Sequence, residues 1–218
     1  MARFLGLTQV PIFVEAGDAK ITTEYGKNIK DYPTTGKTGD HWGLDIVRST
    51  DGKTSTTATV CAIADGIITA QRKYVQEYDD NGKRIYSPSD GNCVYILHDD
   101  GLTITKYFHL KQGTVPDWVE DNVRVKKGQV IGYMGNTGYS YGSHVHFQVE
   151  KLASRPEKID YKLTGPTVNP EPYLTGEIII GKSIEYFVKI GTFLSKEEAE
   201  NYQKALKLLG TSSTIEKV

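Results

Sequence analysis

The sequence predicts a mainly β protein, with an antiparallel sheet as its body and a small β-α-β element at its C-terminal end. Three observations carry this. The 218 residues include 22 Gly and 14 Tyr, with many Thr and Val, a composition suited to pleated strands and tight turns. Short apolar runs are bounded by turn residues. One stretch, near the C-terminus, has the clear period of an amphipathic helix.

Residues 60–64 form an apolar run, followed by Asp65-Gly66 and a second run over 67–70. Residues 93–97, the turn His98-Asp99-Asp100-Gly101 and residues 102–108 read as a hairpin with Asp-Gly turn chemistry. Residues 130–134 and 145–149 are further strands, separated by a Gly-rich loop. Strands this closely spaced, with no helix between them, make an antiparallel sheet. The polar stretch 76–92 carries Asn81-Gly82, Pro88 and Asp90-Gly91 and reads as a long loop with its own hairpin. Two readings of it stay open, a functional loop and a solvated insertion.

Residues 164–176 hold three prolines and three threonines and read as a domain terminus. Beyond them, 184–190 is a predicted strand and 195–209 a predicted helix. Ser195 and Glu198 form its capping box, Ala199, Tyr202, Leu206 and Leu209 share a face, and Gly210 suits the C′ position. Residues 211–215 supply a second strand. The expected organisation is a main domain over 1–176, with its core at 20–175, and a small β-α-β segment over 182–218.

Hydrophobic residues at 38% and charged residues at 24% exclude a disordered chain. A formal net charge of -1 provides no basic field, so neither nucleic acid nor an anionic membrane surface is an expected partner. No apolar run approaches the roughly eighteen residues of a membrane span, so no membrane insertion is expected. The N-terminal residues lack the apolar core of a secretory signal. Cys61 and Cys93 lie in strand-like runs and are expected to be buried free thiols.

The histidines carry the chemistry. His41 and Asp45 stand four apart around Gly43, so one short segment offers an imidazole and a carboxylate, both good Zn2+ donors. His144 and His146 stand two apart at the start of a strand and therefore share a face, with Val145 and Phe147 turned into the core. His109 ends the run 103–109, where alternation sets it with Thr105 and Tyr107 on the more polar face. His98 reads as a turn histidine.

In combination these segments resemble the M23 (LytM/lysostaphin-type) zinc metallopeptidases. The likeness begins at Ile21-Thr22-Thr23-Glu24-Tyr25-Gly26 and runs through His41 to Asp45. Residues 60–68 resemble the family's strand pair, and 97–110 its hairpin ending in Tyr-x-His-Leu. The stretches 123–132 and Gly135-Asn136-Thr137-Gly138-Tyr139-Ser140-Tyr141-Gly142-Ser143-His144-Val145-His146-Phe147 match closely, and 169–174 resembles the usual domain ending. The resemblance implies that His41, Asp45 and His146 bind zinc, that His109 and His144 are catalytic, and that the sheet carries a groove. It also implies a zinc-dependent endopeptidase acting on peptide bonds of bacterial peptidoglycan. The expected groove has a floor kept bare by residues 135–142, one wall containing Tyr139 and Tyr141, and another formed by 76–92. Tyr141 stands where the family has a small residue, Val145 where it has Leu, and Lys27-Asn28 where an arginine is usual.

The segment from Tyr186 to Gly210 resembles the first half of a SPOR (sporulation-related repeat) domain, a family that binds peptidoglycan glycan strands. A lone β-α-β buries little core, so the expectation is that two tails pair between chains and form a homodimer. With no visible secretory signal, the chain is expected to be a phage or prophage endolysin, made in the host cytoplasm and acting on the cell wall. The alternatives are a non-catalytic M23-like wall-binding or activator module, which would lack zinc ligands, and a wall-degrading component of a phage tail.

Overall fold

Apolar and β-branched runs between turn residues yield short strands. In the computed structural model these are β1 (Arg3–Phe4), β2 (Asp18–Thr23), β3 (Asn28–Tyr32), β4 (Lys37–Asp40) and β5 (Leu44–Thr50). They continue with β6 (Lys53–Thr54), β7 (Thr59–Cys61), β8 (Gly66–Arg72), β9 (Asn92–His98) and β10 (Thr103–Leu110). The last four are β11 (Arg124–Val125), β12 (Val130–Tyr133), β13 (Val145–Lys151) and β14 (Thr167–Val168), followed by the short helix α1 (Glu171–Thr175). The structure describes residues 3–4, 12–13, 18–32, 37–50, 53–54, 58–160 and 163–181. The chain divides into two units, Met1–Ser183 and Ile184–Val218. The predicted strand-helix-strand over 184–215 lies outside the described residues.

The strands pair antiparallel, as predicted. Ten of them form one sheet whose main path runs β1-β2-β5-β13-β10-β9-β8-β11, with β14 beside β13 and β6 beside β5. The predicted hairpin is β9–β10, with Ile104 opposite Leu97. Runs 60–64 and 67–70 do not pair with each other. Strand β7 joins β12 in a separate two-stranded sheet, while β8 lies between β9 and β11, so Asp65-Gly66 marks a corner between sheets. Val60 and Ile131 of the small sheet join Ile46, Ile96, Tyr107 and Phe147 of the large one in a single hydrophobic cluster. Full burial of such side chains stabilises by about 1.5–3 kcal/mol each.

Cys61 and Cys93 are buried free thiols, as expected. The proline-rich ending contains α1, which periodicity did not suggest because it spans barely one turn; its Tyr173 and Leu174 pack into the core. The 76–92 stretch does contain a tight turn, closed by a Tyr78–Arg84 bridge.

Candidate metal centre

Strand β13 is central to the site, because it lies between β5 and β10. Its register sets His146 opposite Asp45 on β5 and opposite Phe108 on β10. Partners in register share a face of the sheet, so residues a hundred positions apart meet without any loop to carry them. His41 sits in the bend between β4 and β5. The segment 24–27 grips it: Gly26 N–H donates to the His41 carbonyl at 2.7 Å and His41 N–H to the Lys27 carbonyl at 3.0 Å.

Three ligand-type atoms converge here. His41 Nε2, Asp45 Oδ1 and His146 Nδ1 are each 3.0 Å from the other two. The outer ring nitrogens decide what these contacts are. His41 Nδ1 lies 3.0 Å from the Glu24 carbonyl, which only accepts, so the ring proton is on Nδ1. His146 Nε2 lies 3.3 Å from Gln148 Oε1, again an acceptor. In the neutral rings both inner nitrogens therefore present lone pairs, to each other and to a carboxylate. No proton lies among the three atoms to bond them. A cation resolves that convergence, and two imidazoles with a carboxylate suit Zn2+, whose bonds to N and O are about 2.0–2.2 Å.

Burial alone would raise the Asp45 pKa; contact with His144, whose own pKa is raised, opposes it, and the carboxyl stays well below the usual range. Burial lowers the His146 pKa, partly offset by Asp45, so this ring favours its neutral form. Gly43 leaves the room this packing needs. A Cβ there would meet His146 Nε2 and the Phe147 carbonyl oxygen, each at 2.6 Å.

His109 and His144 flank the three, with ring centroids 4.7 Å apart. His144 Nε2 is 3.4 Å from Asp45 Oδ1, and its Nδ1 donates to the Gly142 carbonyl at 2.8 Å. His109 Nδ1 donates to the Thr137 carbonyl at 2.8 Å. Burial, then the charges of His144 and His146, push the His109 pKa well below its ordinary value. Burial would lower His144 too, but the Asp45 carboxylate outweighs it and raises this pKa.

Alternation misplaces His109. Tyr107 belongs to the core and Phe108 to the groove, stacked 5.1 Å from His146. Strict alternation would turn His109 to the core face with Tyr107. Instead its backbone is left-handed, at φ 61°, where the β9–β10 register shifts, and the ring turns to the groove side. His is among the few non-glycine residues enriched in that region. His98 is elsewhere, buried at the end of β9 and bonded to the Asp65 carbonyl and Thr105 Oγ1.

The groove encloses about 840 Å³. Thr22, Thr23 and Trp42 line one side, and Tyr139, Tyr141 and Ser89 the other. Residues 76–92 do not build a wall of their own. They join that of Tyr139 and Tyr141: Tyr86 packs 5.7 and 5.8 Å from those two rings, Tyr139 N–H donates to the Ser89 carbonyl, and Arg84 bonds the Asn136 and Ser140 carbonyls. Nor do all the loop glycines bare the floor. A Cβ at Gly135 or Gly138 would strike neighbouring backbone at 2.3–2.4 Å, whereas Gly142 alone of these faces open space.

Sequence reasoning passed over Gln148, Glu150 and Lys106, which continue the same face inward from His146. The even-numbered alternation after His144 was the signal for the first two.

An antiparallel sheet with an open groove and a convergent His-Asp-His set defines a class of protein with a candidate metal centre in a surface groove. Comparison with known proteins narrows it. Peptidase family M23 matches residues 39–161, more than half of the chain, and the chain belongs to that family. An uncharacterized metalloprotease of Buchnera aphidicola is 28% identical over 192 residues, 87% of this chain and 41% of the relative. The peptidoglycan DD-endopeptidase ShyC of Vibrio cholerae is 32% identical over 131 residues, 59% of this chain and 25% of that protein. The glycyl-glycine endopeptidase ALE-1 of Staphylococcus capitis is 34% identical over 117 residues, 54% of this chain and 26% of that protein. The chain thus spans less than half the length of these curated relatives. No helix among the described residues is long and apolar enough to cross a membrane.

Proposed function

We propose that this chain is a zinc-dependent endopeptidase that hydrolyses peptide bonds of bacterial peptidoglycan, with His41, Asp45 and His146 holding the ion. One observation carries the metal: a ring nitrogen from each of His41 and His146 and a carboxylate oxygen of Asp45 meet at 3.0 Å, while the outer nitrogen of each ring faces an acceptor. Zinc held there would polarise the scissile carbonyl and acidify a water toward neutral pKa. The protein's own groups do the rest. Of His109 and His144, one neutral imidazole accepts the proton of the attacking water and returns it to the leaving amine. The other donates to the oxygen that gains charge. The carbonyls of Thr137 and Gly142 hold the two rings by Nδ1, leaving Nε2 for this work.

The peptidoglycan substrate is supported by the endopeptidase activities for which the Vibrio cholerae and Staphylococcus capitis relatives are named. Those activities differ in the bond cut, so D-alanyl cross-links and glycyl bridges are both substrates to test. A non-catalytic wall-binding module would not need two further imidazoles beside a convergent ligand set. Origin as a phage or prophage endolysin belongs to the same proposal, supported by the likeness of the C-terminal segment to half a wall-binding repeat, as does pairing of that segment between two chains.

The test is zinc content of the purified chain together with mass spectrometry of fragments released from defined cell walls. New amino groups on stem or bridge peptides, in zinc-loaded protein only, are the expected result. Intact walls after incubation with protein carrying stoichiometric zinc would overturn the reading.

A further inference from the structure

Beyond His146 the groove face of β13 continues into a buried polar row. Gln148 and Glu150 are 5% and 3% exposed, and Lys106, opposite Gln148 on β10, is 8% exposed. Such a row is costly unless every group is satisfied. Here each is. Gln148 Nε2 donates to Glu150 Oε1 at 2.6 Å, and Lys106 Nζ bonds the same oxygen at 2.6 Å. Thr164 Oγ1 and Gly165 N–H donate to Oε2 at 3.1 and 3.0 Å.

This row removes an ambiguity. An amide can turn either end toward a neighbour. The Glu150 carboxylate only accepts, so it holds the NH2 end of Gln148, and Oε1 must face His146 Nε2. An acceptor at Nε2 calls for a proton there. The lone pair of His146 is thereby placed on Nδ1, the nitrogen beside His41 Nε2 and Asp45 Oδ1.

We infer that Gln148 and Glu150 are positioning residues that select Nδ1 of His146 as the metal-binding nitrogen, with Lys106 neutralising the carboxylate that orients the amide. This rests on the peptidase reading for the ion but is testable apart from it. Groups that orient a ligating imidazole typically affect metal affinity by about 10–100-fold.

The ring tautomer of His146 is read by nitrogen-15 NMR on the metal-free 218-residue chain, and zinc affinity by competition with a chelator. The native ring is expected to be protonated at Nε2. Gln148→Leu, which removes the acceptor, should mix the tautomers and weaken zinc about 10–100-fold. The exchange Gln148→Glu with Glu150→Gln keeps an acceptor against Nε2 and should restore both readouts. Circular dichroism and urea denaturation of Gln148→Leu, matched against the native chain, separate lost positioning from a lost fold. An unchanged tautomer with zinc affinity within about twofold of native in Gln148→Leu, or no recovery in the double variant, would overturn the inference. A native chain with the Nε2-protonated ring that binds no zinc would instead count against the peptidase reading alone.

Discussion

His146 and Asp45 are direct partners across the β5–β13 ladder, and Nδ1 of one lies 3.0 Å from Oδ1 of the other. A slip of one residue would turn either side chain to the opposite face. The register of two core strands and the geometry of the candidate metal centre are therefore the same fact. Removing either imidazole of the set should abolish metal retention. Purified His41→Ala and His146→Ala are expected to lose zinc in dialysis and to stop clearing cell-wall suspensions, read by metal analysis and turbidity. A zinc-free His146→Ala chain that lyses walls at the native rate would refute the assignment.

His109 contacts no atom of the convergent trio by hydrogen bond, and its ring is anchored through Thr137. His109→Ala should keep the native zinc content while turnover falls by about 10²–10⁴, the usual worth of a proton-transferring group. Loss of zinc in this variant would show that the residue holds the site together instead.

Gly43 is a steric requirement. A methyl group there meets both the His146 ring and a β13 carbonyl that the ladder holds in place. Gly43→Ala is expected to cost about 1–3 kcal/mol, as overpacking does, and to weaken zinc binding. Gly142→Ala, which meets nothing within 4 Å, is the comparison and should stay within about 0.5 kcal/mol of native. Urea denaturation of the zinc-free chains measures both; equal stabilities would remove Gly43 from this account.

His98 ties stability to pH. Burial, opposed by its bond to the Asp65 carbonyl, pushes its pKa down to about 4 from the ordinary 6.5. The folded state thus favours the neutral ring. Its contribution is complete above pH 6.5 and is lost as pH falls from there toward 4, by about 3 kcal/mol in all. His109 and His146 act with the same sign, so the informative quantity is the difference from His98→Gln. Denaturation at pH 7, 5.5 and 4 should show a flatter profile for the variant, and parallel profiles would contradict the assignment.

Local patterns made much of this protein readable. The Asp-Gly turn and its flanking apolar runs specify the β9–β10 hairpin. The i, i+2 spacing of His144 and His146, with Val145 and Phe147 between them, is enough to put both imidazoles on one face, because a strand's side-chain period is a local property. Which three of these residues converge was implied only by the resemblance to the M23 peptidases that the motifs carry together.

Other features depend on pairing between distant segments, which alternation does not encode. Whether 60–64 pairs with 67–70 or with β12 is decided by which sheet buries Val60 and Ile131. His109 reaches the groove through a positive φ at a register shift, against the alternation that would turn it to the core face. The protonated nitrogen of each imidazole is set by acceptors at Glu24, Gly142, Thr137 and Gln148, two of them far along the chain from the ring they hold. The sequence by itself determined which side chains could bind an ion and which face of a strand they occupy. Only the tertiary structure decided where the lone pairs point, since that depends on hydrogen bonds between groups that folding alone brings together.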